Sequence, residues 1–361
     1  MKLLFAGGGT GGHLFPAVAL AQGLLAQDSS SSVHFVGTAR GLESRLLPKL
    51  GLPLATVDMA GFVGRGWFGK CLVVPKLLKS IRQSRSILRY FQPDLVIGVG
   101  GYASVPVLLA AKMIGVPYLI HEQNAVPGLG NKILARWAER ICLSFEGSEK
   151  SFGSDRTLLT GNPLRQGLEA LPETLPKNGT LLIFGGSRGA QAINRTVVSM
   201  LPKLIGANPN LRILHQTGEE DLDEVRKGYS AAGVNPNFVV AFIDDMASAY
   251  ADSELVICRA GATTIAELTV CGRPAILIPY PHAAGDHQTE NARTLAEAGA
   301  ACLVHQSEMT ADGLTQMVSE LLADRAHLEQ MAISSRQMGR PGATRRILEE
   351  CERLIEKRKG R

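Results

Sequence analysis

Nothing in this sequence is apolar for long enough to span a bilayer; no run approaches the roughly 18 residues that a membrane helix needs. The opening Met1-Lys2-Leu3-Leu4-Phe5-Ala6 begins like a signal peptide, but glycines from Gly7 onward cut the apolar stretch short. A chain that stays in the cytoplasm is expected. Cysteine is sparse and scattered. Cys71, Cys142, Cys258, Cys271, Cys302 and Cys351 form no C-x-x-C pair and no metal-ligand spacing, which argues against a disulfide framework or a zinc site. They read as buried, reduced thiols. Paired aspartates of the D-x-D kind, which hold a metal in many transferases, occur once, as Asp221-Leu222-Asp223. That pair lies in a charged run, 219–227, best read as the solvated face of a helix. No essential metal and no cofactor are expected.

What is present is a repeated order of strand, loop and helix. Strand-like apolar runs fall at 2–6, 33–36, 94–99, 117–121, 141–145, 180–184, 211–215, 238–242, 255–258 and 275–279. Helical patterns lie between them, for example at 16–26, 105–114, 190–204 and 263–271. Continuously apolar strands alternating with helices mark parallel sheets covered on both faces. The fold class is therefore α/β and doubly wound. With 361 residues, two domains are expected. The boundary is placed at Gly161-Asn162-Pro163, giving domains 1–163 and 164–341, with the polar, proline-bearing stretch 169–179 as a linker. The last helix, 342–361, has no local pattern that fixes where it docks; crossing back onto the first domain would suit the fold.

Each half opens with the same device. Leu3-Leu4-Phe5-Ala6 leads into Gly7-Gly8-Gly9-Thr10-Gly11-Gly12, and Leu181-Leu182-Ile183-Phe184 leads into Gly185-Gly186-Ser187-Arg188-Gly189. A strand that ends in glycines before a helix presents backbone N–H groups and the positive helix end to a phosphate. One such loop is a weak signal, shared with dehydrogenases and with unliganded turns. Two, one per half, suggest a cleft lined from both sides. His13 follows the first loop, with Pro16 expected in the first helical turn. An imidazole at a helix start has its proton affinity lowered, which suits a general base near neutral pH, although a loop histidine in a hydrogen bond is the plainer reading of His13 alone. In the second half, Arg259-Ala260-Gly261-Ala262-Thr263-Thr264-Ile265-Ala266-Glu267 follows a strand and opens a helix. Its N–H and hydroxyl groups can cap that helix or bind a diphosphate, and Glu267 can grip a ribose diol. A polar loop, 279–291, follows and contains Gln288.

Taken in order, Gly8-Gly9-Thr10-Gly11-Gly12-His13, His121-Glu122-Gln123-Asn124, Gly161-Asn162-Pro163-Leu164-Arg165, Gly185-Gly186-Ser187-Arg188-Gly189-Ala190, Arg259-Ala260-Gly261-Ala262 and Asp286-His287-Gln288 resemble one bacterial enzyme family along essentially the whole chain. That family is the undecaprenyl-diphospho-muramoylpentapeptide β-N-acetylglucosaminyltransferases, which convert lipid I to lipid II in peptidoglycan synthesis. The resemblance implies the GT-B fold, two Rossmann-like domains facing a central cleft, with UDP-N-acetylglucosamine as donor. It implies Thr10, Gly11 and Gly12 against the diphosphate and reacting centre, and Asn124 on the transferred sugar. Arg165 and Ser187 would meet donor phosphates or neighbouring groups, and Ile243 would meet uracil through its backbone. Ala262, Thr263, Thr264, Ile265, Ala266 and Glu267 would hold diphosphate and ribose, and Gln288 the sugar hydroxyls. His13 is the expected base, with Glu122 a partner or acceptor contact. Arg188 departs from the glutamine that many members carry, adding a cation near phosphate.

Charge is unevenly divided. Residues 1–163 carry 17 Lys/Arg against 9 Asp/Glu, and residues 164–339 carry 13 against 20. Between Asp58 and Asp94 there is no acid at all. That interval holds Arg65, Lys70, Lys76, Lys79, Arg82, Arg85 and Arg89 among Phe62, Val63, Trp67, Phe68, Leu72, Val73, Leu77, Leu78, Ile81 and Leu88. Three readings compete: a domain helix whose apolar face is core, a nucleic-acid face, and an interfacial helix on an anionic membrane. No aromatic stacking platform accompanies the basic run, which counts against nucleic acid. The membrane reading also explains the apolar loop 64–69, and places the protein peripherally on the cytoplasmic face of the inner membrane. Another lipid or a small metabolite as acceptor remains the alternative transferase reading. A nicotinamide oxidoreductase is disfavoured, because Val33-His34-Phe35-Val36-Gly37-Thr38-Ala39-Arg40 offers no acid for a ribose.

Overall fold

The computed structural model describes residues 1–59, 73–153, 155–177 and 180–360. They form two compact units, 1–165 with 342–361, and 166–341. The first unit runs β1 (Lys2–Gly7), α1 (Gly11–Gln27), β2 (Ser32–Gly37), α2 (Glu43–Lys49), β3 (Leu54–Thr56), α3 (Val73–Phe91), β4 (Leu95–Gly100), α4 (Ser104–Met113), β5 (Tyr118–Glu122), α5 (Leu129–Leu134), β6 (Arg140–Leu143) and β7 (Thr157–Leu159). The second runs β8 (Thr180–Phe184), α6 (Gln191–Ala207), β9 (Arg212–Gln216), α7 (Leu222–Ala231), β10 (Val239–Val240), α8 (Met246–Asp252), β11 (Leu255–Cys258), α9 (Ala262–Cys271), β12 (Ala275–Leu277), α10 (His287–Glu297), β13 (Ala301–Leu303), α11 (Ala311–Ala323) and α12 (Arg325–Met338). A last helix, α13 (Ala343–Lys359), belongs to the first unit.

The strand orders are β3-β2-β1-β4-β5-β6-β7 and β10-β9-β8-β11-β12-β13. The pairings are parallel, as in β1 with β2 and β4, and β8 with β9 and β11. Each unit is thus a doubly wound Rossmann-type sheet. The continuous apolar runs follow from covering both faces. Leu3 and Phe5 of β1 join one core with Leu14, Leu20 and Leu24 of α1, while Leu4 and Ala6 face the opposite core with Val107 and Leu108 of α4. Each such fully buried Leu or Phe contributes about 1.5–3 kcal/mol.

Three strands were not read from the sequence. β3, β7 and β13 span three residues each at sheet edges, and the half-exposed pattern of β3 and β7 gives period-2 reasoning nothing to detect. The stretch read as a linker is a strap fixed to the second unit as far as Lys177. Leu168 and Leu175 are buried, and Arg325 donates to the carbonyls of Leu175 at 2.9 Å and Pro176 at 3.0 Å. Arg336 holds the carbonyl of Glu173 at 3.0 Å. The chain passes between units at residues 165–166.

The last helix docks on α1. Ile347, Leu348, Cys351 and Ile355 enter the core of the first unit, and Arg346 donates to the Thr160 carbonyl at 2.7 and 3.0 Å. Gly23 explains the close approach, since a Cβ there would stand 2.6 Å from Thr344 Cγ2. Among the described cysteines, Cys142, Cys258, Cys271 and Cys351 are buried and Cys302 is half-buried, all as free thiols. Burial pushes the Cys271 thiol up to about 12, so it behaves as a small hydrophobe. Cys71 lies outside the described residues.

Candidate nucleotide-sugar site

In the first unit the glycine loop is packed backbone to backbone against the end of β4. A Cβ on Gly7 would lie 2.3 Å from the Gly100 carbonyl oxygen, and one on Gly101 would lie 2.4 Å from that of Gly8. The two glycine pairs let the loops meet at a distance no other residue allows. Gly98-Val99-Gly100-Gly101-Tyr102 is therefore a second part of the same site. Its signal in the sequence is a glycine pair between a strand-like run and a helix, the device already read at 7–12.

The helix after the first loop begins earlier than expected. α1 starts at Gly11 with Thr10 as its cap residue, and Pro16 lies inside it rather than in its first turn. Two glycines hide the helix start from a propensity reading, yet the glycines at N1 and N2 are where a ligand's backbone contacts belong. His13 consequently sits in the first turn, half-buried, its imidazole beside Gly100. A Cβ at Gly100 would be 3.4 Å from His13 Nε2.

A carboxylate that the sequence reading passed over anchors the loop. Glu43, 1% exposed, accepts the Gly9 N–H at 2.7 Å through one oxygen. Its other oxygen takes the Thr38 N–H at 2.7 Å and hydroxyl at 3.0 Å. Gly8, Gly37 and Gly41 all make room for it. The end of the second strand carries no acid, and Glu43, at the start of α2, is turned onto the loop backbone.

Glu122 also differs from its expected role. Its oxygens accept from the Asn124 N–H at 3.0 Å and Nδ2 at 3.3 Å, the Gly128 N–H at 3.1 Å and Asn131 Nδ2 at 2.8 Å. It is 2% exposed. With both oxygens committed to the 124–131 turn, it is a positioning carboxylate that presents half-buried Asn124. Its neighbours do similar work. His121 Nδ1 accepts from Gln123 Nε2 at 3.0 Å while His121 Nε2 meets the Gly161 carbonyl at 3.3 Å, and Gln123 Nε2 also reaches the Val99 carbonyl at 3.0 Å. The Gly161-Asn162-Pro163 motif is thereby tied to β4 and β5. Burial lowers the His121 pKa to about 4, against the Gly161 carbonyl, which raises it. Arg165 belongs to this first unit, its guanidinium 4.0 Å over the Phe15 ring of α1.

The second unit repeats the device on β9. A Cβ on Gly189 would fall 1.7 Å from the Thr217 carbonyl oxygen, and one on Gly218 2.3 Å from that of Arg188. Ser187 and Arg188 are exposed on the loop. Behind it, buried Asn194 donates to Thr217 O at 3.0 Å and Asp221 Oδ2 at 2.7 Å and meets His215 Nε2 at 3.1 Å. Asp221, read as solvated, in fact ties α6 to the start of α7.

Gly261 caps α9, whose first turns carry Ala262, Thr263, Thr264, Ile265, Ala266 and Glu267; Thr264 and Ala266 are half-buried and the others buried. Glu267 is 2% exposed and accepts the Tyr250 hydroxyl at 3.1 Å. Arg259, left without a role by the sequence, donates to the carbonyls of Ile278 at 3.1 Å and Pro279 at 2.9 Å and shapes the following loop. Gln288 Oε1 accepts the Tyr280 N–H at 2.9 Å, and Asn291 Nδ2 reaches the Ala260 carbonyl at 3.1 Å. Ile243 is half-buried on the turn before α8. In this unit the side chains of Asp245, Thr310 and Asp324 cap α8, α11 and α12, while α7 and α10 have no such cap among the described residues. The helices behind the glycine loops start at Thr10, Ala190 and Gly261, which make no side-chain cap bond among the described residues. Such starts are suited to an anionic ligand.

Two Rossmann-type units in one chain, each with a glycine loop at a helix start, fit the class of two-domain glycosyltransferases, and the family matches show that class. Residues 3–143 match the glycosyltransferase family 28 N-terminal domain and residues 180–347 its C-terminal domain. A protein of Syntrophotalea carbinolica named UDP-N-acetylglucosamine--N-acetylmuramyl-(pentapeptide) pyrophosphoryl-undecaprenol N-acetylglucosamine transferase is 54% identical, covering 98% of this chain and 99% of its own. One of the same name from Geobacter metallireducens is 48% identical over 99% of this chain and 100% of its own. The crystal structure of Acinetobacter baumannii MurG superposes with a TM-score of 0.76 at 34% identity, covering 98% of this chain and 99% of that one. The chain belongs to this family of N-acetylglucosamine transferases.

Proposed function

We propose that the protein transfers N-acetylglucosamine from UDP-N-acetylglucosamine to the C4 hydroxyl of undecaprenyl-diphospho-muramoylpentapeptide, lipid I, giving lipid II. The observation that carries the site assignment is His13 in the first turn of α1, next to Gly100 and the glycine loop. His13 takes the proton from the acceptor hydroxyl as its oxygen bonds to the anomeric carbon. The bond from that carbon to the phosphate oxygen breaks with its electron pair on UDP. One displacement inverts the α linkage to β. In the first unit, Thr10, Gly11, Gly12, Asn124 and Arg165 face the diphosphate, acceptor and sugar. In the second, Ser187 and residues 262–267 hold diphosphate and ribose, Ile243 the base, and Gln288 the sugar. Fixed N–H groups and helix ends stabilise the leaving diphosphate without reorganising. UDP release with donor and a lipid I analogue should fall about 10²–10⁴-fold in His13→Ala, with donor KM little changed. Undiminished turnover in that variant removes His13 from the base role.

The reading extends to an anionic membrane surface. Among the described residues no helix is long and apolar enough to cross a membrane. Leu77, Ile81 and Leu88 are packed into or against the core, as the domain-helix reading of this segment has it. What α3 presents outward is Leu78, Tyr90 and the cations Lys76, Lys79, Arg82 and Arg89. Phe62, Val63, Arg65, Trp67, Phe68, Lys70, Leu72 and the loop 64–69 lie outside the described residues, as does the Val73 side chain. The structure adds apolar groups that the sequence reading missed. Leu129, Ile133 and Trp137 recur every fourth residue, 73%, 45% and 38% exposed, beside Lys132 and Arg136, and Met113 at the end of α4 is 61% exposed. A basic surface with projecting apolar side chains fits a leaflet of acidic lipids.

A further inference from the structure

We infer that Tyr250 is a positioning residue for donor recognition, acting through Glu267. The inference rests on the reading of Glu267 as the ribose contact. Tyr250 lies in the last turn of α8 with no exposed surface, and its hydroxyl donates to Glu267 Oε2 at 3.1 Å. A hydrogen bond to a carboxylate is stronger than one between neutral groups, and it selects one rotamer of a side chain that otherwise turns about three bonds.

The tyrosine is itself held from three directions. Its ring meets Phe184 edge to face, centroids 6.2 Å apart at 85°, and Phe184 is the residue directly before the second glycine loop. Its carbonyl accepts from Arg273 Nε at 2.7 Å and from Ser253 Oγ at 3.0 Å. At the other end of α8, Asp245 caps the helix through the Ser248 N–H at 3.0 Å, two residues past Ile243. A single buried side chain thus joins the strand end before the diphosphate loop to the carboxylate assigned to the ribose, on a helix that begins just after the segment assigned to the base. Such an arrangement fixes the carboxylate before the donor arrives, so ordering it does not weaken binding.

Tyr250→Phe keeps the ring on Phe184 and deletes the bond to Glu267. The test measures steady-state kinetics of wild type, Tyr250→Phe and Glu267→Gln with UDP-N-acetylglucosamine and with its 2′,3′-dideoxyribose analogue, holding the acceptor at saturation. Wild type should bind the analogue more weakly, which checks the ribose reading. Tyr250→Phe should raise KM for the natural donor about tenfold with kcat and acceptor KM near wild type. On the analogue, which offers Glu267 no diol, the same substitution should cost almost nothing. If wild type separates the two donors but Tyr250→Phe weakens both alike, the tyrosine acts as packing only and the inference falls while the ribose reading stands. If wild type does not distinguish the donors, or Glu267→Gln distinguishes them as well as wild type does, the ribose reading falls, and the inference with it.

Discussion

His121 offers no surface to solvent, and its two ring nitrogens are taken up by Gln123 and the Gly161 carbonyl. Burial in a low dielectric disfavours a charged imidazole there, which is why its pKa falls to about 4. The unfolded chain titrates this group near the ordinary 6.5. Between those values the unfolded state binds the extra proton, so stability is complete above pH 6.5 and is lost as pH falls toward 4. The loss reaches about 3 kcal/mol. Urea unfolding of the first unit at pH 7 and pH 4.5 should show it, and His121→Asn should flatten the slope; an unchanged slope in that variant assigns the effect to other groups. His215 in the second unit follows the same sign, burial lowering it to about 3. Glu43 carries a related lesson: three glycines, a threonine and a carboxylate from separate stretches of chain converge on one loop, and no spacing rule links them.

Elements show where patterning suffices and where it fails. Central strands such as β1, β4, β8 and β11 are buried on both faces and were legible as apolar runs. The edge strands β3 and β7 are too short and too exposed to leave such a trace, whereas β13 lies in the apolar run 300–304, which was not read as a strand. α3 was legible as a basic amphipathic helix, but its period cannot say whether the apolar side meets a core or a lipid. The structure gives Leu77, Ile81 and Leu88 to the core and leaves Leu78 and the cations outside. The membrane reading therefore depends on charge and on residues of other elements. Reversing Lys76, Arg82 and Arg89 to Glu should lower binding to vesicles containing acidic phospholipid by about a hundredfold or more, at roughly 1 kcal/mol per cation. Flotation in a density gradient checks this, with melting temperature as the control for folding; equal flotation of the variant discards the electrostatic contribution.

For the whole molecule, the chain does not finish where the second unit ends. α13 returns to the first unit, and Glu350, 2% exposed, receives Arg140 at 2.7 Å and Arg353 at 3.0 Å. Removing residues 342–361 takes Ile347, Leu348, Cys351 and Ile355 out of the core, on the order of the 5–15 kcal/mol that holds a domain together. The truncated chain should lose hydrogen-exchange protection throughout β1, β4 and α1 while the second unit keeps its own. Retained protection in β1 would make the helix an accessory.

By itself the sequence determined the fold class, the repeated glycine device and the family to which the chain belongs, because these rest on contiguous runs and ordered motifs. Tertiary structure alone decided what each polar group faces. Glu122 and Glu43 turned out to serve loop backbones, Arg165 to stack within the first unit and Tyr250 to meet Glu267, since burial and hydrogen-bond partners depend on residues that are distant along the chain and adjacent only once the sheets have formed.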